Sequence, residues 1–252
     1  IKSSHFLTQM VKITFPDKST KKFKKCTGID VASSISEGLA REALAIEVNG
    51  VVQDLSKEIE KDAKIRILTF KDKEGVEVFR HSSAHLMAAA ISKIFPEAKF
   101  WVGPAVEEGF YYDIDVDKLS SEDFEKIENE MKSLVKEKQE FVREELTKGK
   151  AAKMFKDDEY KQTIINESED KVLSIYKTGD FIDLCRGPHV PHTGKLKSLV
   201  GEKKTQFENN VQLLRDNSQY GTSFNRVKDA VENIFAQNQL APAIKDDDFT
   251  IE

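Results

Sequence analysis

The sequence predicts an α+β protein, with a small domain followed by a larger one in which helices pack on a β-sheet. Three observations lead to this prediction. Short alternating strands surround one helix in residues 11–70, a charged junction with one glycine follows at residues 71–80, and amphipathic helices then alternate with short strands. The 252 residues, 39 % of them hydrophobic, are enough for a core in each domain.

Composition and charge exclude several classes of protein. The net charge of -5 argues against a protein that coats nucleic acid non-specifically, although it leaves room for a local basic site. No apolar run approaches the roughly 20 residues of a membrane helix, and the first residues lack a secretory signal, so we expect a cytoplasmic protein without membrane contact. The two cysteines, Cys26 and Cys185, lie far apart, so no disulfide framework is expected.

The small domain can be predicted strand by strand. Residues 11–15 alternate apolar and polar side chains, and a Pro-Asp turn then leads into a second, basic strand, which makes a hairpin. Asp30 suits a helix N-cap, and apolar residues recur at helical spacing from there to Arg41. The Asn-Gly dipeptide at residues 49–50 favours a tight turn between two further strands, and a last strand covers residues 64–70. Hairpin, helix, hairpin and closing strand describe a β-grasp-like domain.

The larger domain is predicted to alternate helices and strands. One helix begins at Ser83 and ends before Pro96, since proline cannot continue it. Serines followed by acidic residues at 120–123 are typical of the start of a long amphipathic helix. The remaining predictions follow from periodicity: an aromatic strand within residues 102–115, the end of the long helix near Gln139, a strand at 141–145, a helix at 149–166 and two strands within 171–189.

Two histidines stand four residues apart, at His81 and His85, on the first turns of the predicted helix. Side chains at this spacing project from one helix face, an arrangement used for metal binding or paired proton transfer. The same spacing suits two buried or capping histidines, so the pair alone does not decide between these interpretations. The short metalloprotease signature is not matched, because Ser82 stands where it requires glutamate.

A second group of candidate residues lies in CRGPH, from Cys185 to His189. Gly-Pro cannot continue a helix, so this cysteine and histidine are predicted on a loop that leaves a strand. If the loop faces the helix, the cysteine and three histidines would form either a tetrahedral zinc site or a polar cage around a water. Taken alone, Cys185 would be interpreted as a small buried hydrophobic residue.

The stretches RHSSAH, VGPAVEEGFYYDID and DLCRGPHVPHTGK, in this order and spacing, resemble the editing domain near the N-terminus of threonyl-tRNA synthetases, a fold shared with alanyl-tRNA synthetase editing domains. The small domain and its VNG turn resemble the TGS domain that precedes it there. The resemblance covers roughly residues 8–198. It implies a TGS domain in residues 1–72, an editing domain in residues 73–224 and a divergent tail of unknown role in residues 225–252.

This resemblance implies hydrolysis of seryl-tRNA(Thr), a product that arises because serine lacks only one methyl group of threonine. A difference of one methylene-sized group changes the binding free energy in the aminoacylation site by about 1 to 3 kcal/mol, which is too little for accurate selection. A second, tight pocket must therefore hydrolyse the wrong ester. The substrate would be tRNA(Thr), presented through its 3'-terminal aminoacyl adenosine. A synthetase catalytic core would be a candidate partner.

The resemblance also implies a set of residues that act on the ester: His81, His85, Lys171, Asp183, Cys185 and His189. The two histidines of the helix, His81 and His85, would line the pocket. Cys185 and His189 would lie opposite them. Asp183 would hold the amino group of the substrate or orient a partner. Lys171 matches the editing lysine and would stabilise developing negative charge or help to position water.

Three further residues are implied to bind the substrate. Tyr111 or Tyr112 would contact the terminal adenosine, although both suit a core strand as well, and Arg186 would meet a tRNA phosphate or form a structural ion pair. Threonyl editing sites are usually described as working without metal, whereas the alanyl relatives hold zinc through comparable groups. We therefore expect no obligatory cofactor, and the alternative is zinc bound by His81, His85, Cys185 and His189.

The resemblance ends after Lys197, where polar residues replace the segment that leads into an aminoacylation core. Only LLRDNSQYGTSF, residues 213–224, is again similar to a later stretch of the family. No ATP site or class II motif is recognisable, so we expect a chain that does not charge tRNA, either the N-terminal fragment of a synthetase or a free-standing editing protein. Two other functions stay open: a tRNA- or protein-binding module without activity, and a zinc-dependent hydrolase of another small ester.

Overall fold

The computed structural model describes residues 10–106, 109–116, 119–120, 123–199, 212–215 and 224–228. The helices are α1 (Gly28–Ser33), α2 (Glu37–Glu42), α3 (Lys73–Ile94), α4 (Phe124–Glu137), α5 (Lys148–Met154), α6 (Glu159–Glu167) and a 3-10 turn at Thr193–Leu196. The strands are β1 (Val11–Thr14), β2 (Thr20–Phe23), β3 (Cys26–Thr27), β4 (Ala45–Val48), β5 (Val51–Gln53), β6 (Glu58–Ile59), β7 (Ala63–Leu68), β8 (Lys99–Phe100), β9 (Ala105–Val106), β10 (Gly109–Asp115), β11 (Val142–Thr147), β12 (Val172–Thr178), β13 (Phe181–Leu184), β14 (Gln212–Arg215) and β15 (Phe224–Lys228).

The small domain is built on a five-stranded sheet with the order β2-β1-β7-β4-β5. β1 and β7 are parallel neighbours, and the other pairs are antiparallel. The turn between β4 and β5 has positive φ at both Asn49 and Gly50, as predicted for a tight hairpin. Val31 of α1 packs with Ile13 and Ile46 of the sheet in a buried core. These features confirm the β-grasp prediction.

The single helix predicted in the small domain is divided into two. Thr27, not Asp30, is the N-cap of α1: its hydroxyl accepts from the Asp30 N–H, and the Asp30 carboxylate accepts from the Thr27 N–H. Ser36 caps α2 in the same position, accepting from the Leu39 N–H. Serine side chains compete for backbone hydrogen bonds, so the first helix ends at Ser33 and the second starts four residues later, at Glu37.

α3 is the central helix of the larger domain. It starts at Lys73 and not at Ser83, so the predicted start of this helix is wrong, and most of the charged stretch at residues 71–80 forms its first turns. Val76 and Phe79 are buried there, which explains why this stretch is helical. The helix ends at Ile94, as predicted. Among the described residues, neither α3 nor any other helix is long and apolar enough to cross a bilayer.

Two further sheets complete the larger domain, with the orders β14-β15-β10-β8 and β11-β12-β13. α3 packs against β10 and α4, and Leu86, Phe110 and Ile127 are buried in their common core. The helix predicted at residues 149–166 is two helices, because the Asp158 side chain accepts from a backbone N–H of the next turn and caps α6. This mixture of sheets and helices confirms the predicted α+β class.

The predicted start of the tail at residue 225 falls inside a strand. β15 runs from Phe224 to Lys228 and pairs antiparallel with β10, so the sheet of the larger domain extends beyond that boundary. The rest of the predicted tail, from residue 229, lies outside the described residues. The other predicted boundary, after residue 72, coincides with the N-cap of α3 and stays a prediction.

The two domains share an apolar core and an ionic junction. Leu44 and Leu68 of the small domain are fully buried in the same cluster as Phe79 of α3. Arg66 on β7 donates to Glu74 in the first turn of α3 at 3.0 Å and also pairs with two neighbouring carboxylates. The domains are therefore packed on each other, which places the end of β5 beside the larger domain.

Candidate active site

A cleft of about 460 Å³ opens where α3 meets the loop that follows β13. α3 supplies one wall through His81 and His85, and residues 183–188 supply the facing wall. Val52 of the small domain and the segment 101–105 complete the lining. A cleft of this volume suits a ligand of drug-like size rather than a free amino acid.

The two histidines of α3 lie side by side, as their spacing predicts. Their rings meet edge to face with centroids 5.1 Å apart. His85 is 2 % exposed, and His81 is half-buried. Ser82 and Ser83 donate to carbonyls one turn back, so their buried hydroxyls are satisfied within the helix. The helix thus presents both imidazoles to the cleft.

The loop from Cys185 to His189 is held tightly against β12. The Cys185 carbonyl accepts a hydrogen bond from Ser174 Oγ at 2.6 Å. Gly187 has a φ of +68°, and a Cβ at this residue would collide with the Tyr176 hydroxyl, so both the backbone and the available space require glycine. The loop therefore presents its cysteine and histidine in one fixed arrangement.

Four side chains converge between α3 and the loop: His81, His85, Cys185 and His189. We call them the four-group cluster. Cys185 Sγ lies 3.3 Å from His81 Nε2 and 3.4 Å from His189 Nε2. The ring centroids of His85 and His189 are 4.2 Å apart. One ligand atom from each of the four side chains lies within 4.8 Å of the others. The structure brings together the two pairs that are about 100 residues apart in the sequence.

Beside this cluster, Asp183 is the centre of a buried ionic network. Its Oδ1 lies 2.5 Å from Lys161 Nζ, and its Oδ2 lies 3.6 Å from His85 Nε2. The Tyr112 hydroxyl donates to the same Oδ2. Lys161 Nζ also donates to the Trp101 carbonyl at 2.8 Å. Asp183 and Lys161 are each 2 % exposed, so this pair is a charged contact in the protein interior.

Burial keeps the histidines and the thiol of the cluster neutral at pH 7. It lowers the pKa of His85 to about 3 and holds the pKa values of His81 and His189 below the ordinary range. It raises the pKa of the Cys185 thiol to about 12. Burial is the largest effect on Asp183 and would raise its pKa, but the charge of Lys161, the nearby His85 and the hydrogen bonds from Lys161 and Tyr112 together outweigh it and lower that pKa. The four-group cluster is therefore a neutral cage, and it lies beside the buried ion pair between Asp183 and Lys161.

Three residues implied by the resemblance do not line the cleft, and a fourth lies at its rim. One of the three is His189, which is 1 % exposed and belongs to the group of four side chains described above. Lys171 is exposed just before β12 and does not line the cleft. Tyr112 lines the cleft and its neighbour Tyr111 does not, because successive side chains of a strand alternate between faces. Arg186 lines the cleft but is mostly exposed, 3.4 Å from Asp170.

Two residues of the site were not identified from the sequence. Lys161, rather than Lys171, is the lysine that contacts Asp183. A signal for it was present, because Lys161 and Ile165 are the buried positions of α6, and a lysine on the apolar face of a helix is unusual. Trp101 lines the cleft and stacks on a tyrosine of α6, with ring centroids 5.7 Å apart.

The four-group cluster has the composition of a tetrahedral zinc site. Three imidazoles and a thiol are ligands that zinc accepts, and their spread of 4.8 Å allows one ion to reach them all after small shifts. His189 Nδ1 lies 3.1 Å from Ser82 Oγ, a contact of the kind that orients metal-binding imidazoles. Among the described residues, His85 Nδ1 is buried without a hydrogen-bond partner. These side chains fit zinc, and they fit a bound water as well.

Comparison with known proteins identifies two domains. Residues 11–69 match the TGS domain, and residues 173–201 match the Threonyl and Alanyl tRNA synthetase second additional domain. The threonine–tRNA ligase of Desulfosudis oleivorans is 48 % identical over 221 residues, covering 85 % of this chain and 34 % of the relative. The threonine–tRNA ligase of Clostridioides difficile is 47 % identical over 233 residues, covering 88 % of this chain and 36 % of the relative. The chain therefore spans about a third of the length of the curated relatives it matches, at their N-terminal end.

Proposed function

We propose that this chain, which matches a TGS domain and an editing domain and is 48 % identical to the N-terminal third of a threonine–tRNA ligase, hydrolyses the ester of mischarged seryl-tRNA(Thr). The proposal applies to the chain alone or within a longer synthetase. The observation that carries it is the convergence of a neutral cage and a buried ion pair in a cleft large enough for an aminoacyl nucleoside.

The proposed reaction is the addition of water to the ester carbonyl. The water oxygen bonds to the carbonyl carbon and its proton passes to a base. The bond to the ribose oxygen then breaks as that oxygen takes up a proton, which releases serine and tRNA. His85 is the proposed base. Burial keeps its imidazole neutral at pH 7, and the Asp183 carboxylate near Nε2 favours the tautomer that carries its proton there and would stabilise the imidazolium that forms as the water is deprotonated. Nδ1 is then an acceptor, and it is the ring nitrogen without a partner among the described residues.

Asp183 and Lys161 have supporting roles in this proposal. Asp183 is already engaged by Lys161, Tyr112 and His85, so it orients the imidazole and does not hold the amino group of the substrate. Lys161 does not line the cleft, so it acts through Asp183 by keeping that carboxylate ionised. Lys161 thereby replaces Lys171 as the lysine on which the site depends.

Water, and not the thiol of Cys185, is the proposed nucleophile. A pKa of about 12 leaves the thiol protonated at pH 7, and its sulfur already lies 3.2 Å from the Gly187 N–H as well as close to two imidazoles. The cysteine is then part of the wall that confines the substrate. Crowding of the additional methyl group of threonine against this wall is the proposed basis for sparing correctly charged tRNA.

The outer part of the cleft is proposed to hold the terminal adenosine of tRNA(Thr). Tyr112 is 1 % exposed and its hydroxyl is committed to Asp183, so it does not suit this role. Trp101 lines the cleft and is the aromatic side chain to which adenine would stack. Arg186, exposed at the rim, would meet a tRNA phosphate. Such a protein would act in the cytoplasm, where tRNA is charged, with a synthetase core as its second partner.

The proposed hydrolysis is tested with Ser-tRNA(Thr) labelled in the serine. We expect the ester to disappear faster than it does without protein, at a rate proportional to the concentration of the chain. Decay at the spontaneous rate would contradict the proposal. If the tRNA binds tightly and the ester still decays spontaneously, the chain is a binding module without activity.

Removal of divalent metal is expected to leave the hydrolysis unchanged. Zinc held by the four-group cluster would supply a Lewis acid and lower the pKa of a bound water, but His85 and Asp183 provide a base without an ion. The measurement compares chain dialysed against a chelator, with its zinc content checked by mass spectrometry, with the same chain reloaded with zinc. Activity that is lost on chelation and returns with zinc would instead support the zinc-dependent hydrolase.

A further inference from the structure

The small domain contributes directly to the wall of the cleft. Val52 of β5 lines the cleft, and Asp54, which follows that strand, is 7 % exposed. Taking a carboxylate out of water is costly unless it is paired or accepts hydrogen bonds, and burial raises the pKa of Asp54. The contacts that compensate for this burial show what the side chain does.

Both carboxylate oxygens of Asp54 bind the larger domain. Oδ1 accepts a hydrogen bond from the His189 backbone N–H at 2.8 Å, and Oδ2 accepts from the Tyr176 hydroxyl at 2.7 Å. Tyr176 lies on β12, and its ring packs edge to face on the His189 imidazole with centroids 4.5 Å apart. One side chain of the small domain therefore holds the main chain of His189 and also the ring on which its imidazole rests.

His189 connects the two halves of the neutral cage. Its Nδ1 lies 3.1 Å from Ser82 Oγ on α3, and its Nε2 lies 3.4 Å from Cys185 Sγ on the loop. A shift of the main chain at His189 would move both contacts together. Because hydrolysis depends on close positioning of the reacting groups, a remote contact that fixes this point has a large effect on the rate.

We propose that Asp54 is a positioning residue of the hydrolytic site, through which the small β-grasp domain fixes the loop from Cys185 to His189. Asp54 acts through His189 and Tyr176 and does not touch the ester. The small domain is then a structural part of the site rather than an appended module. The expected effect on kcat rests on the proposed hydrolysis. The expected effect on the order of the loop does not.

A simpler role for Asp54 would be to hold the two domains together. Other contacts already do so, because Arg66 donates to Glu74 of α3 at 3.0 Å, and Leu68 shares a buried core with Phe79. Loss of the Asp54 carboxylate is therefore expected to leave the domains docked and to release the loop. A variant of Asp54 separates the two roles: if Asp54 holds the domains together, its loss loosens their contact, and if it positions the loop, its loss loosens the loop alone.

Asp54→Ala is expected to lower kcat for Ser-tRNA(Thr) by about 10- to 100-fold and to change KM by less than about threefold, because the loop is released while the binding surface stays. Asp54→Asn is expected to lose less, because its amide keeps an acceptor for the His189 N–H. The matched control is Asp30→Ala, which removes a helix-capping carboxylate from the same domain and should leave kcat unchanged.

Amide hydrogen exchange reports on the loop without any substrate. In Asp54→Ala, peptides covering residues 185–190 are expected to exchange about tenfold faster or more, while peptides of α3 keep their protection. Asp30→Ala should leave the 185–190 peptides unchanged. If circular dichroism shows that Asp54→Ala is unfolded, Tyr176→Phe takes its place, with a smaller increase in the same peptides.

Three results would overturn the proposal: unchanged kcat in Asp54→Ala, unchanged exchange of residues 185–190 in that variant, or an equal increase of that exchange in Asp30→Ala. The last result would mean that any destabilisation of the small domain loosens the loop. A chain that does not hydrolyse Ser-tRNA(Thr) would refute the proposed function alone, because the exchange comparison would still decide the role of Asp54.

Discussion

Replacing Lys161 with methionine is expected to lower the free energy of unfolding by about 3 to 5 kcal/mol, because it leaves a buried carboxylate without its cation. Lys161 Nζ lies 2.5 Å from Asp183 Oδ1, and both residues are 2 % exposed. Methionine has a similar volume, so the loss reports the charge rather than a cavity. The measurement is urea unfolding at pH 7, and hydrolysis is expected to fall together with stability because Asp183 orients His85.

Two controls separate this ion pair from a general effect of removing a lysine. Lys99→Met breaks a pair with Glu159 in which the side chains are 38 % and 69 % exposed, so it is expected to cost less than about 1 kcal/mol. Adding Asp183→Asn to Lys161→Met removes the uncompensated charge and should recover part of the stability. Equal losses in Lys161→Met and Lys99→Met would show that the buried pair is not the source of the effect.

Replacing His85 with glutamine is expected to lower kcat for Ser-tRNA(Thr) by about 10²- to 10⁴-fold, the contribution of a positioned general base. Glutamine keeps a polar group of comparable length but cannot accept a proton at pH 7. KM is expected to change little, because His85 is 2 % exposed and the proposed contacts with tRNA lie farther out in the cleft. The measurement is single-turnover and steady-state deacylation of the variant and the unchanged chain.

The matched control for this variant is His192→Gln. His192 is half-buried near the larger domain's 3-10 turn and does not line the cleft, so its replacement should leave kcat unchanged. Undiminished hydrolysis in His85→Gln would remove the proposed base from the mechanism. An equal loss in both variants would mean that the effect is one of folding and not of proton transfer.

The parts of the fold that follow local rules could be predicted from the sequence. Alternating residues and the Asn-Gly turn fix the hairpins of the small domain, and the i, i+4 spacing places His81 and His85 on one helix face. The Gly-Pro step places Cys185 and His189 on a loop. Each of these statements depends on neighbouring residues only, which is why the structure agrees with them.

Other features depend on which face of an element meets the core. The sequence places the start of α3 ten residues too late, because residues 71–80 are charged, whereas Val76 and Phe79 among them are buried against the rest of the protein. Strand alternation requires that only one of Tyr111 and Tyr112 faces the cleft, but the sequence does not say which one. The identity of the buried lysine likewise depends on the orientation of α6.

The contact between Asp54 and His189 could not be predicted at all. It joins residues 135 positions apart and involves a backbone N–H, which leaves no trace in the side-chain pattern of either segment. Only the packing of the two domains brings them together. Here the sequence indicates which groups are present, and the tertiary structure determines which of them form the site.

The ratio of the deacylation rates of Ser-tRNA(Thr) and Thr-tRNA(Thr), measured with the same preparation of the unchanged chain, is the decisive measurement. We expect the seryl ester to be hydrolysed at least about tenfold faster than the threonyl ester, because the additional methyl group must be rejected by crowding in the pocket. Loss of both esters at the spontaneous rate, or hydrolysis of both at the same accelerated rate, would contradict an editing function.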